Sequence, residues 1–304
     1  MSETLLWDLM RGAMTAKALA LAAELRVADE LAAGPRPVGE LAQATGADRD
    51  ALYRTLRALA SDGVFAEDEP GVFRNSDASE LLRGDGWPEI AHLFGSVFYD
   101  ALRRFPGRFE HDFWEWLAAH PAERDAFDAA MAGGKERQVE RLAALDWSGT
   151  ETVVDVGGGN GELLRALLGR RPELRGIVFD LPETVRDEST FGDRLEFAAG
   201  SFFEAVPAGD AYVLSAILHD WNDERAAAIL ETIRASASVG ARLLVIESVV
   251  APGNEPQGSK WLDLLMLVLV DGRERTEPEW RALLDGAGFD VDSVEDGLIQ
   301  ARCR

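Results

Sequence analysis

The sequence of 304 residues predicts an α/β protein, in which a mainly helical segment precedes a mostly parallel sheet with crossover helices. Two patterns predict this class. From Thr152 onward, short apolar runs alternate with helical runs, as strands alternate with crossover helices. Before that point, apolar residues recur at helical spacing, for example through Ala18–Leu31. At about 100–200 residues per domain, this length favours two domains.

Residues 1–85 are predicted to form one small domain. Two helices, Val38–Thr45 and about Asp50–Ser61, are followed by the short apolar pairs Val64–Phe65 and Val72–Phe73. These pairs flank an acidic turn and predict a hairpin. A helix, a turn, a second helix and a hairpin follow one another in a winged helix, so the domain is predicted to be winged-helix-like.

Residues 86–147 are predicted to be a helical linker that contributes to a substrate pocket. They are unusually rich in aromatic side chains. These rings can pack helices together or form the wall of a flat ligand site, and the sequence alone leaves both interpretations open. The aromatic residues of this region are Phe94, Phe98, Tyr99, Phe105, Phe109, Phe113, Trp114, Trp116 and Phe127.

Residues 148–304 carry the predicted sheet. Its strands are nearly continuous apolar runs, as expected for a sheet that helices cover on both faces. The predicted strands are Thr152–Val156, Gly176–Leu181, Leu195–Ala199, Ala211–Ile217 and Arg242–Val250.

A glycine-rich segment follows the first predicted strand. Its glycines, Gly157, Gly159 and Gly161, have the spacing G-x-G-x-G, and Asp155 precedes them by two positions. The dinucleotide pattern G-x-G-x-x-G would need glycine where Glu162 stands. A pyrophosphate would be repelled by both acids, whereas a cationic sulfonium ligand without phosphate tolerates them. The segment is therefore predicted to bind such a ligand.

A second acid, Asp180, ends the next predicted strand. An acid at this place can accept hydrogen bonds from both ribose hydroxyls of a bound nucleoside. The alternative is a helix cap before Pro182.

Six motifs then occur in a fixed order: DVGGGNG, FDLP, AGSFF, LHDWNDE, the ES after RLLVI, and GRERT. In these motifs, and over essentially its whole length, the chain resembles the S-adenosylmethionine-dependent small-molecule O-methyltransferases, typified by plant caffeate and bacterial polyketide enzymes. The resemblance implies a Rossmann-like methyltransferase domain after an N-terminal dimerisation domain, and hence a homodimer.

The resemblance also implies an activity, the transfer of a methyl group from S-adenosylmethionine to a hydroxyl of a small aromatic acceptor. Its general base would be His219, with Glu247 and Glu274 as partners, and no metal would take part. The chemistry agrees, because a phenol has a pKa near ~10 and a histidine with a pKa near ~6.5 can take its proton during attack. The product would be S-adenosylhomocysteine, and the setting natural-product metabolism such as antibiotic biosynthesis.

Further site residues follow from the same resemblance. Ser201 stands where many relatives have Asp, and Ser215 where plant relatives often have Lys, which weakens both assignments. The acceptor would contact Phe113, Trp114, Met131 and Asp220. For Met131, an ordinary core methionine is the alternative. The cofactor would contact Asp155, Gly157, Gly159, Gly161, Asp180, Leu181, Ser201, Phe202, Ser215 and Trp221.

Composition limits the remaining classes. The net charge of −23 repels nucleic acid and anionic membranes. Residues 1–100 hold nine Lys and Arg against seventeen Asp and Glu, which disfavours the rival interpretation of a winged-helix DNA-binding regulator. No apolar run reaches about 20 residues, so a cytoplasmic protein is expected. N- or C-methylation, or a hydroxylase or decarboxylase on the same scaffold, stay open as alternatives.

Overall fold

The structure is a computed structural model, and it describes residues 2–84, 86–105, 107–109, 112–132, 135–148, 152–182, 184–185, 192–253 and 256–304. The chain divides into two compact units. The first comprises residues 1–105 and 111–134, and the second comprises residues 106–110 and 135–304.

The first unit is mainly helical. A three-stranded sheet accompanies its helices, and in it the strand Val72–Asn75 lies between Arg36–Pro37 and Phe65–Glu69. The elements are α1 (Ser2–Met10), α2 (Gly12–Glu24), α3 (Val27–Glu30), β1 (Arg36–Pro37), α4 (Val38–Thr45), α5 (Arg49–Ser61), β2 (Phe65–Glu69), β3 (Val72–Asn75), α6 (Asp77–Glu80), a 3₁₀ turn (Leu81–Arg83), α7 (Trp87–Gly95), α8 (Val97–Leu102), α9 (Phe113–Ala119) and α10 (Pro121–Ala132).

Local chemistry explains two of these boundaries. Helix α5 begins after Asp48, whose carboxylate accepts a hydrogen bond from the Ala51 N–H at 2.8 Å. The helix predicted over Ala18–Leu31 is instead two helices, α2 and α3, because Arg26 adopts a left-handed conformation with φ of 52°. The sequence prediction missed this break, since an arginine carries no signal for such a conformation.

The second unit contains a seven-stranded sheet between helices. Its elements are α11 (Glu136–Ala144), β4 (Thr152–Val156), α12 (Glu162–Arg170), β5 (Arg175–Asp180), a 3₁₀ turn (Gly192–Arg194), β6 (Leu195–Ala199), β7 (Ala211–Ser215), a 3₁₀ turn (Leu218–Asp220), α13 (Asp223–Ser236), β8 (Arg242–Ile246), β9 (Val249–Val250), α14 (Ser259–Leu269), β10 (Arg275–Thr276), α15 (Glu277–Gly286), β11 (Phe289–Glu295) and β12 (Leu298–Cys303).

The strand order in this sheet is β11-β12-β8-β7-β4-β5-β6. Strands β8, β7, β4, β5 and β6 are parallel to one another, and β12 and β11 are antiparallel additions. Alternate residues of one strand enter different cores: Val153 packs in one cluster and Val154 in the other. Burial on both faces explains the continuous apolar strands. The predicted α/β class with a mostly parallel sheet is confirmed.

Two predicted strands end early. The strand predicted over Ala211–Ile217 stops at Ser215, because Ala216 has φ of 55° and turns the chain. The strand predicted over Arg242–Val250 is divided into β8 and β9. Both interruptions lie at the carboxyl edge of the sheet, where ligands bind in open α/β folds.

Candidate active site

The glycine loop joins β4 to α12. Gly157, Gly159 and Gly161 all have positive φ, at 73°, 59° and 77°. A Cβ atom at Gly157 would lie 2.5 Å from the Ile217 side chain, and the space beside Gly159 is open. Side chains are therefore excluded by conformation at all three positions, and the backbone at Gly159 faces free space that a ligand can approach closely.

Asp180 holds this loop in place. Its Oδ2 accepts a hydrogen bond from the Gly159 N–H at 2.8 Å, and its Oδ1 accepts one from the Leu181 N–H at 2.7 Å. The side chain thus connects the end of β5 to the glycine loop. Asp180 and Leu181, which the sequence predicted as cofactor contacts, lie beside the predicted glycines.

Asp155 lies at the end of β4, beneath the loop. Its side chain is buried, and its Oδ2 atom has no hydrogen-bond partner among the described residues. Burial raises the pKa of Asp155 to about 6, the Lys135 ammonium opposes this, and the Asp180 carboxylate adds to it. A buried carboxylate oxygen without a donor fits a cationic group better than a phosphate. These residues therefore fit the sulfonium cofactor that the sequence indicated.

Three aromatic rings pack together where the loop after β6 meets the end of the turn after β7. The Phe202 and Phe203 ring centroids lie 4.9 Å apart, and Trp221 lies 4.9 Å from Phe203. The Arg225 guanidinium covers Trp221 at 4.4 Å from its centroid. Ser201 uses its hydroxyl within its own turn, where it accepts the Phe203 N–H at 3.3 Å. Ser201 therefore shapes the loop that presents Phe202.

His219 lies in the 3₁₀ turn Leu218–Asp220, next to three carboxylates. Its Nδ1 atom is 3.0 Å from Oε2 of Glu247 and 3.3 Å from Oε1 of Glu274. Its Nε2 atom is 3.4 Å from Oδ1 of Asp220. Both glutamate side chains are completely buried, whereas 16% of the His219 side chain is exposed. The sequence-predicted trio is therefore brought together, and Asp220 joins it.

Glu247 is fixed by the backbone. Its Oε1 accepts hydrogen bonds from the N–H groups of Ile217, Leu218 and His219, at 3.0, 2.8 and 3.4 Å. Its other oxygen is left to face His219 Nδ1. Glu274 differs, because its own N–H donates to Asp263, but in the described part of the chain no backbone N–H donates to either of its carboxylate oxygens. Glu247 is thus the better placed of the two to orient the imidazole.

The carboxylates change the proton affinity of this site. Burial lowers the pKa of His219, but the charges of Glu247 and Asp220, and the hydrogen bonds that Glu247 and Glu274 accept from the imidazole, raise it well above its usual value. Burial raises the pKa of Asp220 to about 7, against the effect of His219. The surrounding carboxylates therefore stabilise the imidazolium relative to the neutral imidazole.

Ser215, the remaining predicted cofactor contact, ends β7. Its hydroxyl lies 3.5 Å from Oε1 of Gln138, at the limit of a hydrogen bond. The sequence analysis did not single out Gln138, because a glutamine in an amphipathic helix carries no signal of its own.

The predicted acceptor residues of the first unit belong to a cluster of rings. The Phe113 ring lies 5.3 Å from Trp114 and 5.6 Å from Phe127, in edge-to-face arrangements. Phe113 is buried within this cluster, whereas Trp114 is only partly buried. Met131 is 42% exposed in the single chain.

Arg275, which was not predicted from the sequence as a site residue, is completely buried near His219. Its neighbour Glu274 was predicted from the GRERT segment, but no role was predicted for the arginine beside it. Among the described residues, no group of three or more His, Cys, Asp and Glu side chains could hold a metal ion. Within that same described part, no helix is long and apolar enough to cross a membrane.

The fold, the glycine loop and the acid at the end of β5 define the class of S-adenosylmethionine-dependent methyltransferases. Sequence comparison agrees with this class. The family model of the O-methyltransferase domain matches residues 91–290, and that of the O-methyltransferase dimerisation domain matches residues 7–85. The chain belongs to this O-methyltransferase family and is an S-adenosylmethionine-dependent O-methyltransferase, which confirms the resemblance seen in the sequence.

Three relatives illustrate the likeness. The phenazine O-methyltransferase PhzM of Lysobacter antibioticus is 38% identical over 96% of this chain and 92% of its own. The crystal structure of LaPhzM has a TM-score of 0.92 and 36% identity, with both chains fully covered. NcsB1, an O-methyltransferase from neocarzinostatin biosynthesis solved with S-adenosylmethionine and 2-hydroxy-5-methyl naphthoic acid, has a TM-score of 0.82 and 34% identity, covering 95% of this chain and 96% of NcsB1.

Proposed function

We propose that this enzyme methylates a hydroxyl group of a small aromatic acceptor of the natural-product type, with His219 as general base. The observation that carries the proposal is the His219 imidazole, whose Nδ1 atom faces two buried glutamates. A carboxylate on Nδ1 fixes the tautomer, so that Nε2 is the nitrogen that accepts a proton. Intact His219, Glu247 and Glu274 favour methyl transfer over hydroxylation or decarboxylation on this scaffold.

The proposed step uses few groups of the protein. S-adenosylmethionine, when bound, supplies a methyl group on a positively charged sulfur, so no enzymic nucleophile is needed. The acceptor oxygen forms a bond to this methyl carbon while its proton passes to His219 Nε2, and the electron pair of the broken carbon–sulfur bond stays on sulfur. Glu247 stabilises the imidazolium that forms, and Asp220 lies beside Nε2 to contact the acceptor hydroxyl.

The acceptor class is supported by the rings of the first unit. Partly buried Trp114 leaves part of its ring available to a flat ligand, and the buried Phe113 ring packs against it edge-to-face. Aromatic pairs contribute about 0.5–1.5 kcal/mol beyond burial. We include exposed Met131 among the acceptor contacts. The relatives named above act on or bind phenazine and naphthoic acid compounds, which are flat and aromatic.

The acceptor class can be tested by mass spectrometry. Phenols, hydroxynaphthoates and aliphatic alcohols of similar size would be incubated with enzyme and S-adenosylmethionine, and mass increases of one methyl group would be recorded. We expect methylation of the aromatic hydroxyl compounds only. Trp114→Ala should raise the acceptor KM more than the cofactor KM, with exposed Trp261→Ala as control. Methylation confined to aliphatic alcohols would refute the aromatic acceptor.

Cofactor binding is expected to depend on Asp180. Asp180→Ala removes the acceptor of the Gly159 N–H and the predicted partner of the ribose hydroxyls. Loss of a charged hydrogen-bond partner costs about 1.5–3 kcal/mol, so affinity for S-adenosylmethionine should fall about 10–150-fold by calorimetry. Glu196→Ala, at an exposed position on β6, is the matched control. Equal affinities in the two variants would contradict the assignment.

We also propose a homodimer formed through residues 1–85, in the cytoplasm and without nucleic acid. The apolar residues of α1 support it, since Leu5, Leu6, Trp7, Leu9 and Met10 are all more than half exposed in the single chain. The excess of acidic residues in the first hundred disfavours contact with phosphates. Light scattering at micromolar concentration would test the dimer.

A further inference from the structure

Arg275 is a buried charge that the proposed step leaves unused. Its side chain is 0% exposed, and a guanidinium in such a place is costly unless each donor finds a partner. Burial lowers its pKa, while the hydrogen bond to Asp223 and the charges of Asp223 and Glu247 raise it. A completely buried arginine that takes no part in the proposed step is therefore expected to have another role at this site.

The partners of the guanidinium lie on both sides of His219. Nη1 donates to the Leu218 carbonyl at 2.9 Å, and Nη2 donates to the Trp221 carbonyl at 2.8 Å. Nε donates to Oδ1 of Asp223, at the start of α13, also at 2.9 Å. The planar group thus connects both ends of the turn that carries His219 and Asp220. A lysine could not serve three acceptors in these directions.

The backbone before Arg275 contacts the same turn. The Arg273 N–H donates to the His219 carbonyl at 2.8 Å. A Cβ atom at Gly272 would lie 2.1 Å from that carbonyl oxygen, so the segment approaches the turn as closely as glycine allows. Residues 272–275 therefore hold three carbonyl groups of this turn, those of Leu218, His219 and Trp221.

We propose that Arg275 is a positioning residue, which sets the place and direction of the His219 imidazole through the Leu218 and Trp221 carbonyls. This proposal rests on His219 acting as the base. Without the hydrogen bonds of the planar guanidinium, the turn that carries His219 can relax, and His219 Nδ1 can move away from Glu247. Misplacement of a catalytic group by about 1 Å can cost about 10²-fold in rate.

Two variants test the proposal. Arg275→Lys keeps the positive charge but loses the planar group that donates to several acceptors at once. Arg275→Ala leaves a space that a free guanidinium ion can fill. We expect Arg275→Lys to lower kcat by about 10–100-fold while cofactor affinity by calorimetry changes less than twofold. Guanidinium chloride should restore part of the kcat of Arg275→Ala and none in Arg275→Lys. Arg281→Gln, which loses only a surface pair with Glu277, is the control.

A spectroscopic measurement reports on His219 directly. The chain has four histidines, so selective ¹⁵N labelling gives four pairs of Nδ1 and Nε2 signals, and the pair absent in His219→Ala belongs to His219. In Arg275→Lys the pKa of His219 should move toward its ordinary value of about 6.5, since Nδ1 loses its fixed contact with Glu247. The signals of the other histidines should stay unchanged.

The outcomes separate this inference from the proposed function. Full activity of His219→Ala would refute the base, whatever Arg275 does. If His219→Ala is inactive while Arg275→Lys keeps the parent kcat and the parent His219 titration, only the positioning role fails. Equal losses of cofactor affinity and kcat in Arg275→Lys, or a failure of that variant to fold, would show a general structural role and overturn the inference.

Discussion

Replacing His219 by alanine is expected to lower kcat by about 10²–10⁴-fold, the usual contribution of a general base. Affinity for S-adenosylmethionine should stay nearly unchanged, because the glycine loop and Asp180 do not depend on the imidazole. His120→Ala is the matched control, since this histidine is exposed and stacks on Trp116 at 4.1 Å. The assay must use a neutral phenol with a pKa near 10 as the acceptor, because an ionised phenol needs no base.

The pH profile of the parent enzyme gives an independent test. The base form of His219 is neutral, and the nearby carboxylates raise the pKa of His219 well above its usual value. Since kcat/KM reports the groups of the free enzyme, it should rise with pH and level off above the ordinary histidine pKa of about 6.5. This limb should vanish in His219→Ala. A variant that keeps most activity and the same profile would place the base elsewhere.

Much of the fold follows from short patterns in the sequence. The alternation of apolar strands with helical runs predicted the parallel sheet, and the glycine spacing predicted the loop after β4, because burial on both faces and positive φ each restrict the residue type. The ends of elements were less predictable. Arg26 and Ala216 adopt left-handed conformations that neither residue type favours, so tertiary contacts determine those breaks.

The candidate site was also predicted only in part from the sequence. The pattern of motifs predicted that His219, Glu247 and Glu274 act together, although the residues lie far apart in the chain. It did not predict Arg275, whose partner carbonyl at Leu218 is 57 positions away. Although Arg275 lies within the GRERT motif, a backbone carbonyl has no residue type, so the sequence carried no signal for the partners of this side chain. The difference between the two glutamates was also hidden, because it depends on which N–H groups each carboxylate meets.

Because the carboxylates of Glu247 and Glu274 make different contacts, the second large loss of activity is expected from a substitution of Glu247. In Glu247→Gln, the amide oxygen can still accept the N–H groups of Ile217 and Leu218, so the turn should keep its shape. The amide NH₂ would then face His219 Nδ1, where Oε2 now lies at 3.0 Å. Two donors cannot pair, so the imidazole would move its proton to Nε2 and lose the lone pair that receives the acceptor proton.

We expect Glu247→Gln to lower kcat by about 10²–10⁴-fold at unchanged cofactor affinity, the order seen when a base is held in the wrong tautomer. Glu274→Gln is the matched control, with the same change on the other carboxylate near Nδ1. It should cost only about 2–12-fold, the equivalent of one ordinary hydrogen bond of about 0.5–1.5 kcal/mol, because Glu247 still holds the tautomer. Single-turnover kinetics with both variants would measure the methyl-transfer step itself. Equal losses would mean that the two carboxylates share the proton of Nδ1, and a larger loss in Glu274→Gln would reverse their roles.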